Sequence, residues 1–321
     1  MNRMRSRMLW ICFTILSLML VSCARAQQME STKTDSSSRL VIMSAFEPEL
    51  TQLRSQTKVT NTYVINGRTY YLGDLAGQDV VLALSGVSMV NAAMTAQTVI
   101  DHFDVSAIVF SGIAGGVNPS LAIGDVVVPA QWGEYQEQTF AREIGSGWAL
   151  DPSASEFGNY GMMFPQSISL TQKDGKPDNE EQLFWLPVSQ EMLEVARDAA
   201  DEAGLSDCTP AKVCLEHTPA IVVGGNGVSG PTFVNNASYR EWVWQTFQAD
   251  ALDMESAAVA HVAYVNKVPF IAFRSLSDLA GGGPGENEIS TFFQLAADNS
   301  AKVVIAFLEK WPGAREKSNL Q

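Results

Sequence analysis

Short apolar runs alternate with segments of helical periodicity through most of this chain of 321 residues. Leu40–Met43 and Ala107–Phe110 are two such runs, and Met89–Phe103 between them carries apolar residues at helical spacing. The second run leads into the glycine-rich segment Ser111–Gly116, which we interpret as a turn at the end of a strand. Strands that alternate with helices and end in such turns are typical of wound α/β domains, which bind ligands at the carboxyl edge of the sheet. The pattern therefore predicts an α/β fold with a ligand site at that edge.

The alternation covers one domain, for which we predict the bounds 39–312, followed by a tail, 313–321. We expect three layers, in which helices flank a central mixed, mostly parallel twisted sheet. Residues from about 133 to 187 are polar, aromatic and rich in Gly and Pro, so we interpret them as an insertion or lid. The other predicted elements are the hairpin Tyr63–Ile65 and Tyr70–Leu72, the strands Val80–Leu84, Asp125–Pro129, Ala220–Val223 and Phe270–Phe273, and the helices Ser189–Ala203, Tyr239–Thr246, Glu255–Asn266 and Ser290–Glu309.

The N-terminus has the pattern of an export signal. Three arginines precede the apolar run Met8–Val21, which has the length of a signal-peptide core and is short for a bilayer span. Two processing sites compete. Leu20–Cys23 resembles a bacterial lipobox, in which Cys23 is lipidated, whereas Ala24–Ala26 resembles an ordinary secretion site. An uncleaved anchor helix is the remaining alternative.

All three readings place the protein outside the cytoplasm, in the periplasm or on the envelope of a bacterium. We predict a signal peptide over 1–26 and a disordered tether over 27–38, which is polar and without periodicity. The only membrane contact that we expect is the lipid anchor at Cys23.

Composition excludes some partners and cofactors. The formal net charge is −14, so the chain lacks the excess of basic residues that a nucleic-acid binder needs. Cys208 and Cys214 are the cysteines outside the leader, and in an oxidising compartment we expect them to form a local disulfide; two free buried thiols are the alternative. The three histidines are scattered without ligand spacing, so we expect neither a metal nor an organic cofactor.

Charged and polar residues stand at the ends of the predicted strands, where sites of this fold class assemble. Glu49 follows the first strand, Asp253 and Glu255 lie where an apolar segment passes into a helix, and Asp278 follows the strand ending at Phe273. Each also has a purely structural interpretation, since carboxylates are favourable in the first turn of a helix and as caps. Taken one at a time, these residues do not define a function.

Taken together, three ordered motifs carry a resemblance. Ser111–Gly116 with Gly124–Pro129, then Leu252–Ala258, then Arg274–Asp278 resemble the signature of the nucleoside phosphorylase/nucleosidase superfamily. The resemblance covers about residues 40 to 310 and is closest to the 5'-methylthioadenosine/S-adenosylhomocysteine nucleosidases. The chain is also similar to plant bark-storage proteins. The family implies a nucleoside phosphorylase-like fold and cleavage of the bond between ribose and a purine.

The resemblance also implies roles for four residues in catalysis. Glu49 corresponds to the glutamate that acts as base on the attacking water, and Arg274 and Ser85 match positions that help to hold the water or phosphate. Asp278 corresponds to the aspartate that shares a proton with N7 of the base, which requires a raised pKa.

A second set of residues is implied to bind the substrate. Glu255 corresponds to the glutamate that accepts both ribose hydroxyls, and Met254 to the residue that packs on the ribose. Phe233 and Val234 match the segment that stacks on the purine and reads its edge, and Phe46 borders the 5' substituent. Core packing is the alternative for Phe233 and Met254. The same set includes Ala114, Gly115, Asp253 and Ser277.

The loop after the first strand favours water over phosphate. It contains Glu47 and Glu49 and no arginine, and two carboxylates repel a phosphate dianion. Pro48 and Ser88 depart from the nucleosidase pattern, as does the long insertion. Our first hypothesis is a purine nucleosidase acting on 5'-modified adenosines. The alternatives are a purine nucleoside phosphorylase and a nucleoside-binding or storage-like lipoprotein, and the resemblance implies a homodimer.

Overall fold

A computed structural model of the chain describes residues 33–150, 155–176, 179–283 and 285–312. The predicted signal peptide, the lipidation site Cys23 and the tail 313–321 lie outside the described residues. None of the helices in the described ranges combines the length and the apolar character that a membrane crossing requires.

Eighteen strands and six helices are described in these ranges. The strands are β1 (Asp35–Ser44), β2 (Lys58–Ile65), β3 (Arg68–Leu75), β4 (Gln78–Leu84), β5 (Phe103–Gly116), β6 (Val126–Val128), β7 (Gln131–Gly133), β8 (Gln138–Phe140), β9 (Arg142–Ile144), β10 (Gly147–Ala149), β11 (Met163–Pro165), β12 (Ile168–Leu170), β13 (Glu181–Leu183), β14 (Trp185–Pro187), β15 (Ile221–Val223), β16 (Asn226–Ser229), β17 (Ala249–Asp253) and β18 (Phe270–Asp278). The helices are α1 (Glu47–Gln56), α2 (Met89–His102), α3 (Gln190–Ala200), α4 (Ala237–Phe247), α5 (Ser256–Asn266) and α6 (Ile289–Lys310).

Twelve strands form one mixed sheet, in the order β14-β7-β16-β17-β5-β1-β4-β3-β2, with β18, β6 and β15 branching from this path. The long strand β5 is the branch point. It pairs in parallel with β1 over Phe103–Phe110 and with β18 over Ile108–Gly115, and its last two residues also pair with β17. Because β5, β17 and β18 end close together, the side chains at their carboxyl ends meet at one place.

The helices bury the apolar faces of this sheet. α2 packs against α5, and α6 packs against β18, α1 and α3. The centre of the core is a set of fully buried apolar side chains of β1, β4, β5 and β18, among them Ile42, Leu82, Val109 and Phe273. This arrangement confirms the predicted α/β fold with a central mixed sheet between helices.

Two predicted boundaries are wrong. Residues 35–38, which we expected at the end of the tether, belong to β1, because Asp35 and Ser38 pair with the start of β5 and Arg39 bonds the Asp35 carboxylate. The segment Ser111–Gly116 is not a turn but the second half of β5, since it pairs with β18. Its glycines are required by the side chains that approach the strand and not by a reversal of the chain.

The stretch from about 133 to 187 departs from the main rhythm, as predicted. It contains three small two-stranded sheets, β8 with β11, β9 with β10 and β12 with β13, and it returns to the main sheet through β14. Further along the chain, the predicted disulfide between Cys208 and Cys214 is present and closes a short loop before β15.

Candidate active site

A cavity of about 200 Å³ opens where β5, β17 and β18 end. Its walls come from the loop after β1, the last residues of β5, the segment after β16 and the start of α6. The lining residues are Ala45, Phe46, Glu49, Val87, Ile113, Ala114, Gly115, Thr232, Phe233, Val234, Leu252, Asp253, Met254, Glu255, Ser277, Asp278 and Ile289. Most of them are apolar, and the polar ones are dominated by four carboxyl groups.

Glu49 lies in the first turn of α1 and is 1% exposed. Its Oε2 accepts hydrogen bonds from the main-chain N–H groups of Ala45 and Phe46, at 2.7 and 3.3 Å, and its Oε1 accepts from Ile113 at 2.8 Å. Burial raises the pKa of this carboxyl group, and Arg274 and the three N–H donors oppose that rise. Glu49 is therefore held in one orientation, with a pKa above its ordinary value.

Arg274 of β18 is fully buried beneath the cavity and is surrounded by carboxylates. Its guanidinium nitrogens lie 2.7 Å from Asp253 Oδ2, 3.5 Å from Glu255 Oε2 and 3.7 Å from Glu49 Oε1. The Phe110 ring lies 4.4 Å below the guanidinium carbon, a cation–π distance. One buried cation therefore compensates three acidic side chains, which would otherwise be very costly to bury.

A glycine makes this arrangement fit. A Cβ at Gly112 would collide with the side chains of both Arg274 and Glu49. The glycine-rich segment that looked like a turn is thus a strand whose missing side chains leave room for the ion pair. Gly115 does the same near Asp278, where a Cβ would lie 3.1 Å from the Cβ of Ala280.

Glu255 precedes α5 and points its carboxylate at the strained residue Ser88. The Ser88 N–H donates to Glu255 Oε1 at 2.7 Å, and Ser88 has φ 81° and ψ 156°, a conformation that usually requires glycine. Burial raises the pKa of Glu255 to about 7, against the opposing charge of Arg274. This carboxyl group therefore exchanges its proton near neutral pH.

Asp278 ends β18 at the far side of the cavity and is 2% exposed. Its Oδ1 accepts from the N–H of Ala280 at 2.8 Å and from Nδ2 of Asn287 at 3.1 Å, and its Oδ2 accepts from the Ser277 hydroxyl at 2.9 Å. Burial raises its pKa, and these neutral donors oppose the rise only in part. No cation forms an ion pair with Asp278 among the described residues.

The substrate-binding residues expected from the sequence come together around this cavity. Met254, Val234 and Phe46 lie on its wall, and Phe233 stands at the rim with 54% of its surface exposed. Ala114, Gly115, Asp253 and Ser277 also contribute to the lining.

Two expected catalytic residues are not among those that line the cavity. Ser85 is fully buried, its hydroxyl donates to the carbonyl of Gly86 at 2.9 Å, and it is absent from the lining. Arg274 lies behind the carboxylates of Glu49, Asp253 and Glu255, and its Nη2 has no hydrogen-bond partner within the described part of the chain. The roles expected for Ser85 and Arg274 in holding water or phosphate stay predictions.

Sequence reasoning missed several contributors to the site. Ile289 closes the cavity from the start of α6, and Val87 forms part of its mouth. Asn287 supports Asp278 from a segment so rich in Gly and Glu that it looks like an ordinary loop. The only sequence signal for these residues is their closeness to the motifs, since Asn287 and Ile289 follow Asp278 by about ten positions. No cluster of metal-ligating side chains occurs in the ranges that the structure describes.

The fold and this carboxylate-rich cavity at the carboxyl edge of the sheet define a class of α/β proteins, and sequence comparison identifies it. The profile of the phosphorylase superfamily matches residues 39–309, so the chain belongs to this superfamily.

Named relatives resemble it over most of their length. A 5'-methylthioadenosine/S-adenosylhomocysteine nucleosidase of Tolumonas auensis is 28% identical over 273 residues, which cover 85% of this chain and 99% of the relative. Bark storage protein A of Populus deltoides is 27% identical over 257 residues, covering 78% and 80%. The crystal structure of the Neisseria meningitidis 5'-methylthioadenosine/S-adenosylhomocysteine nucleosidase with methylthio-immucillin-A has a TM-score of 0.62 at 24% identity, covers 85% of this chain and 98% of that one, and agrees in fold.

Proposed function

We propose that the protein is a purine nucleosidase, which uses water to cleave the bond between ribose and base in 5'-modified adenosines such as methylthioadenosine. The observation that carries the proposal is the charge of the cavity. Four carboxyl groups line it, and none of the lining residues in the described ranges is an Arg, Lys or His. Such a wall repels a phosphate dianion and favours a cationic ribose. Relatives named as nucleosidases support the same class of reaction.

In the proposed reaction the bond between C1' and N9 breaks first, leaving an oxocarbenium-like ribose and a purine that carries the electron pair. Water then adds through its oxygen to C1', and its proton passes to Glu49. Glu49 suits this role because its main-chain donors fix its orientation and burial raises its pKa, so that its ionised form is a stronger base.

The ribose is held on the same side of the cavity. In our proposal the Glu255 carboxylate accepts hydrogen bonds from the two ribose hydroxyls, and Met254 packs on the sugar. Arg274 acts through these carboxylates, because its charge lies 3.5 Å from Glu255 and 3.7 Å from Glu49 and keeps an anion available at each.

Asp278 assists departure of the base from the opposite side. A protonated carboxyl group gives its proton to N7 of the purine, so that the base leaves neutral. The raised pKa of Asp278 favours the protonated form that this step requires. Phe233 and Val234 lie beside it and supply surface for the purine.

The 5' substituent faces apolar surface in this arrangement. Phe46, Val87 and Ile289 form that part of the wall, and they suit a thioether better than a phosphate or a free hydroxyl. This supports methylthioadenosine over adenosine and inosine as substrates.

One assay tests the function. Purified domain is incubated with methylthioadenosine, adenosine and inosine, with and without phosphate, and free base is measured. We expect base release that needs no phosphate. Strict dependence on phosphate would indicate a phosphorylase, and saturable binding without release would indicate a binding or storage-like protein. A Glu49→Gln variant with full hydrolytic activity would contradict the role of that residue.

We also propose export and a lipid anchor at Cys23, supported by the arginine-rich apolar leader and by a disulfide that suits an oxidising compartment. Mass spectrometry of the mature protein should show a lipidated N-terminal Cys23, and a Cys23→Ser variant should lose it. An N-terminus at Gln27 would indicate soluble secretion.

A homodimer is the oligomeric state that we propose. Val87 and Phe233 of the cavity wall are exposed, and Val90 and Met94 of α2 add further exposed apolar surface. Light scattering should give twice the monomer mass, and Val90→Glu should halve it. A monomeric wild-type protein would contradict the proposal.

A further inference from the structure

Asn287 lies behind Asp278, two residues before α6 and outside the cavity lining. Its Nδ2 donates to Asp278 Oδ1 at 3.1 Å and to Asn235 Oδ1 at 3.2 Å, and its own Oδ1 accepts from the N–H of Ile289 at 3.0 Å. A flipped amide would turn an oxygen toward the Asp278 carboxyl group and the Asn235 oxygen. The amide therefore has one favourable orientation, in which it donates to Asp278.

The two oxygens of Asp278 differ as a result. Oδ1 accepts from two nitrogen donors, Ala280 and Asn287, which cannot accept a proton in return. Oδ2 accepts from the Ser277 hydroxyl, which also lies 3.4 Å from the carbonyl of Ala114 and can turn toward it. A proton on Oδ1 would face two N–H groups, whereas a proton on Oδ2 faces a hydroxyl that can reorient. The geometry therefore favours Oδ2 as the protonated oxygen.

We propose that Asn287 is a positioning residue for the proton donor of the reaction: it fixes the rotation of the Asp278 carboxyl group and directs the transferable proton to Oδ2. This inference rests on the proposed function of the cavity, since it assigns the geometry of the acid in that reaction. Asn287 does not touch the substrate and acts through Asp278.

The Asn287 amide also links Asp278 to the segment that we assign to binding the purine. Asn235 follows Val234 of the cavity wall, and the N–H of Asn236 donates to the carbonyl of Ala280 at 3.0 Å. The segment after β16, the loop after β18 and the start of α6 thus meet at Asn287. A shift of this purine-binding segment therefore changes the contact that orients the Asp278 carboxyl group.

Few charges face this carboxyl group. Glu288 at the start of α6 acts on it and raises its pKa, and Arg240 of α4 lies beside Gly282 and donates to the carbonyl of Gly116. Because a donor to the ionised form stabilises that form, removal of Asn287 raises the pKa of Asp278 further.

The test compares Asn287→Ala with Glu286→Gln, an exposed change on the same loop, in proteins with matched thermal stability. We expect Asn287→Ala to lower kcat for methylthioadenosine by roughly 10-fold with little change in KM, a part of the roughly 10²- to 10⁴-fold that general acid catalysis contributes. The alkaline limb of the pH profile should move to higher pH. Activity on 4-nitrophenyl 5-methylthioriboside, whose leaving group needs no proton, should be retained.

A second readout does not depend on activity. The carboxyl carbon of Asp278, followed by NMR in protein labelled with ¹³C-aspartate and assigned with Asp278→Asn, should titrate at higher pH in Asn287→Ala than in wild type. An unchanged titration, or an equal loss of activity on both substrates, would overturn the proposal. Should Asn287→Ala not fold, Asn287→Leu, which has nearly the same shape and neither donor nor charge, takes its place. A wild-type protein that cleaves no nucleoside would refute the function but leave the titration as a test of the contact.

Discussion

The two ends of the cavity bury the same chemical group in different surroundings. At one end Arg274 lies within 4 Å of Glu49, Asp253 and Glu255. At the other end Asp278 is held by an N–H, an amide and a hydroxyl, without a cation among the described residues. Burial raises the pKa at both ends, but only the first end has a positive charge that opposes it.

In the proposed reaction the two ends act in opposite protonation states, and the pKa of Glu255, raised by burial to about 7, lets the Arg274 end supply anions above neutral pH. The end with Arg274 can keep anions, which a general base and a ribose anchor require. The end without a cation favours the acid form, which a proton donor requires. Different surroundings for carboxyl groups of one cavity are a common way in which a site obtains both an acid and a base.

The largest expected effect tests Asp278, at the end of the cavity without a cation among the described residues. Asp278→Asn keeps the shape of the side chain and removes its proton, so we expect kcat for methylthioadenosine to fall by roughly 10²- to 10⁴-fold. Steady-state kinetics measure the change, and the nitrophenyl riboside is the control substrate. A variant that retains activity on both substrates would refute the assignment of Asp278 as the acid.

The next effect tests the cation. Arg274→Met leaves three buried carboxyl groups without their counter-charge, so we expect the free energy of unfolding to fall by about 3–5 kcal/mol. Arg274→Lys is the matched control, since it keeps the charge but loses the planar fork, and its loss should be smaller. Urea denaturation measures both, and equal losses would indicate that shape and not charge decides stability at this end.

Glu255 predicts the direction in which kcat/KM changes with pH. In our proposal its ionised form binds ribose, so kcat/KM in wild type should fall as the pH drops through about 7. Glu255→Gln should lower kcat/KM by roughly 10- to 100-fold, the loss of charged hydrogen bonds. A wild-type profile that is flat between pH 5 and 8 would show that this carboxylate does not limit binding.

The same residue links function to stability. Because its folded pKa of about 7 exceeds the ordinary 4.5, its contribution to stability is fully present below pH 4.5 and is lost as the pH rises through 7. Glu255→Gln should therefore be more stable than wild type at pH 8, by about 1–3 kcal/mol, and gain less at pH 5. Thermal unfolding at pH 5 and at pH 8 measures the difference. A larger gain in stability at pH 5 than at pH 8 would contradict the raised pKa of Glu255.

The smallest effect concerns a region remote from the cavity. Cys208→Ser with Cys214→Ser removes the disulfide of a short loop, so we expect a loss of about 2 kcal/mol in the free energy of unfolding. The pH profile of kcat/KM should not change, because neither cysteine contributes to the cavity. A shifted profile would show that the two ends are sensitive to the stability of the whole fold.

The sequence predicted the parts of the molecule that depend on local pattern. Buried runs such as Leu40–Met43 and the periodic helix from Met89 were located, because burial leaves a direct signature in composition. The carboxylates Glu49, Glu255 and Asp278 were located through motifs at strand ends. The structure brings all three to one cavity.

What the sequence did not predict depends on packing between distant segments. Ser111–Gly116 looked like a turn because glycine is typical of turns, whereas here glycine leaves space for Arg274 and Glu49. Ser85 and Arg274 were placed at the reacting centre, and no local pattern shows that one bonds its neighbour's carbonyl and the other lies under its own carboxylates. Asn287 is recognised as part of the site only by its contact with Asp278, and this contact forms across a loop.

We propose that the two ends of the cavity work in opposite protonation states. The most direct test measures kcat/KM against pH for wild-type protein on methylthioadenosine and on 4-nitrophenyl 5-methylthioriboside. We predict a bell-shaped profile for the first substrate, with an acid limb from the Arg274 end and an alkaline limb from Asp278, and the acid limb alone for the second. An alkaline limb that is the same for both substrates would contradict the proposed role of Asp278.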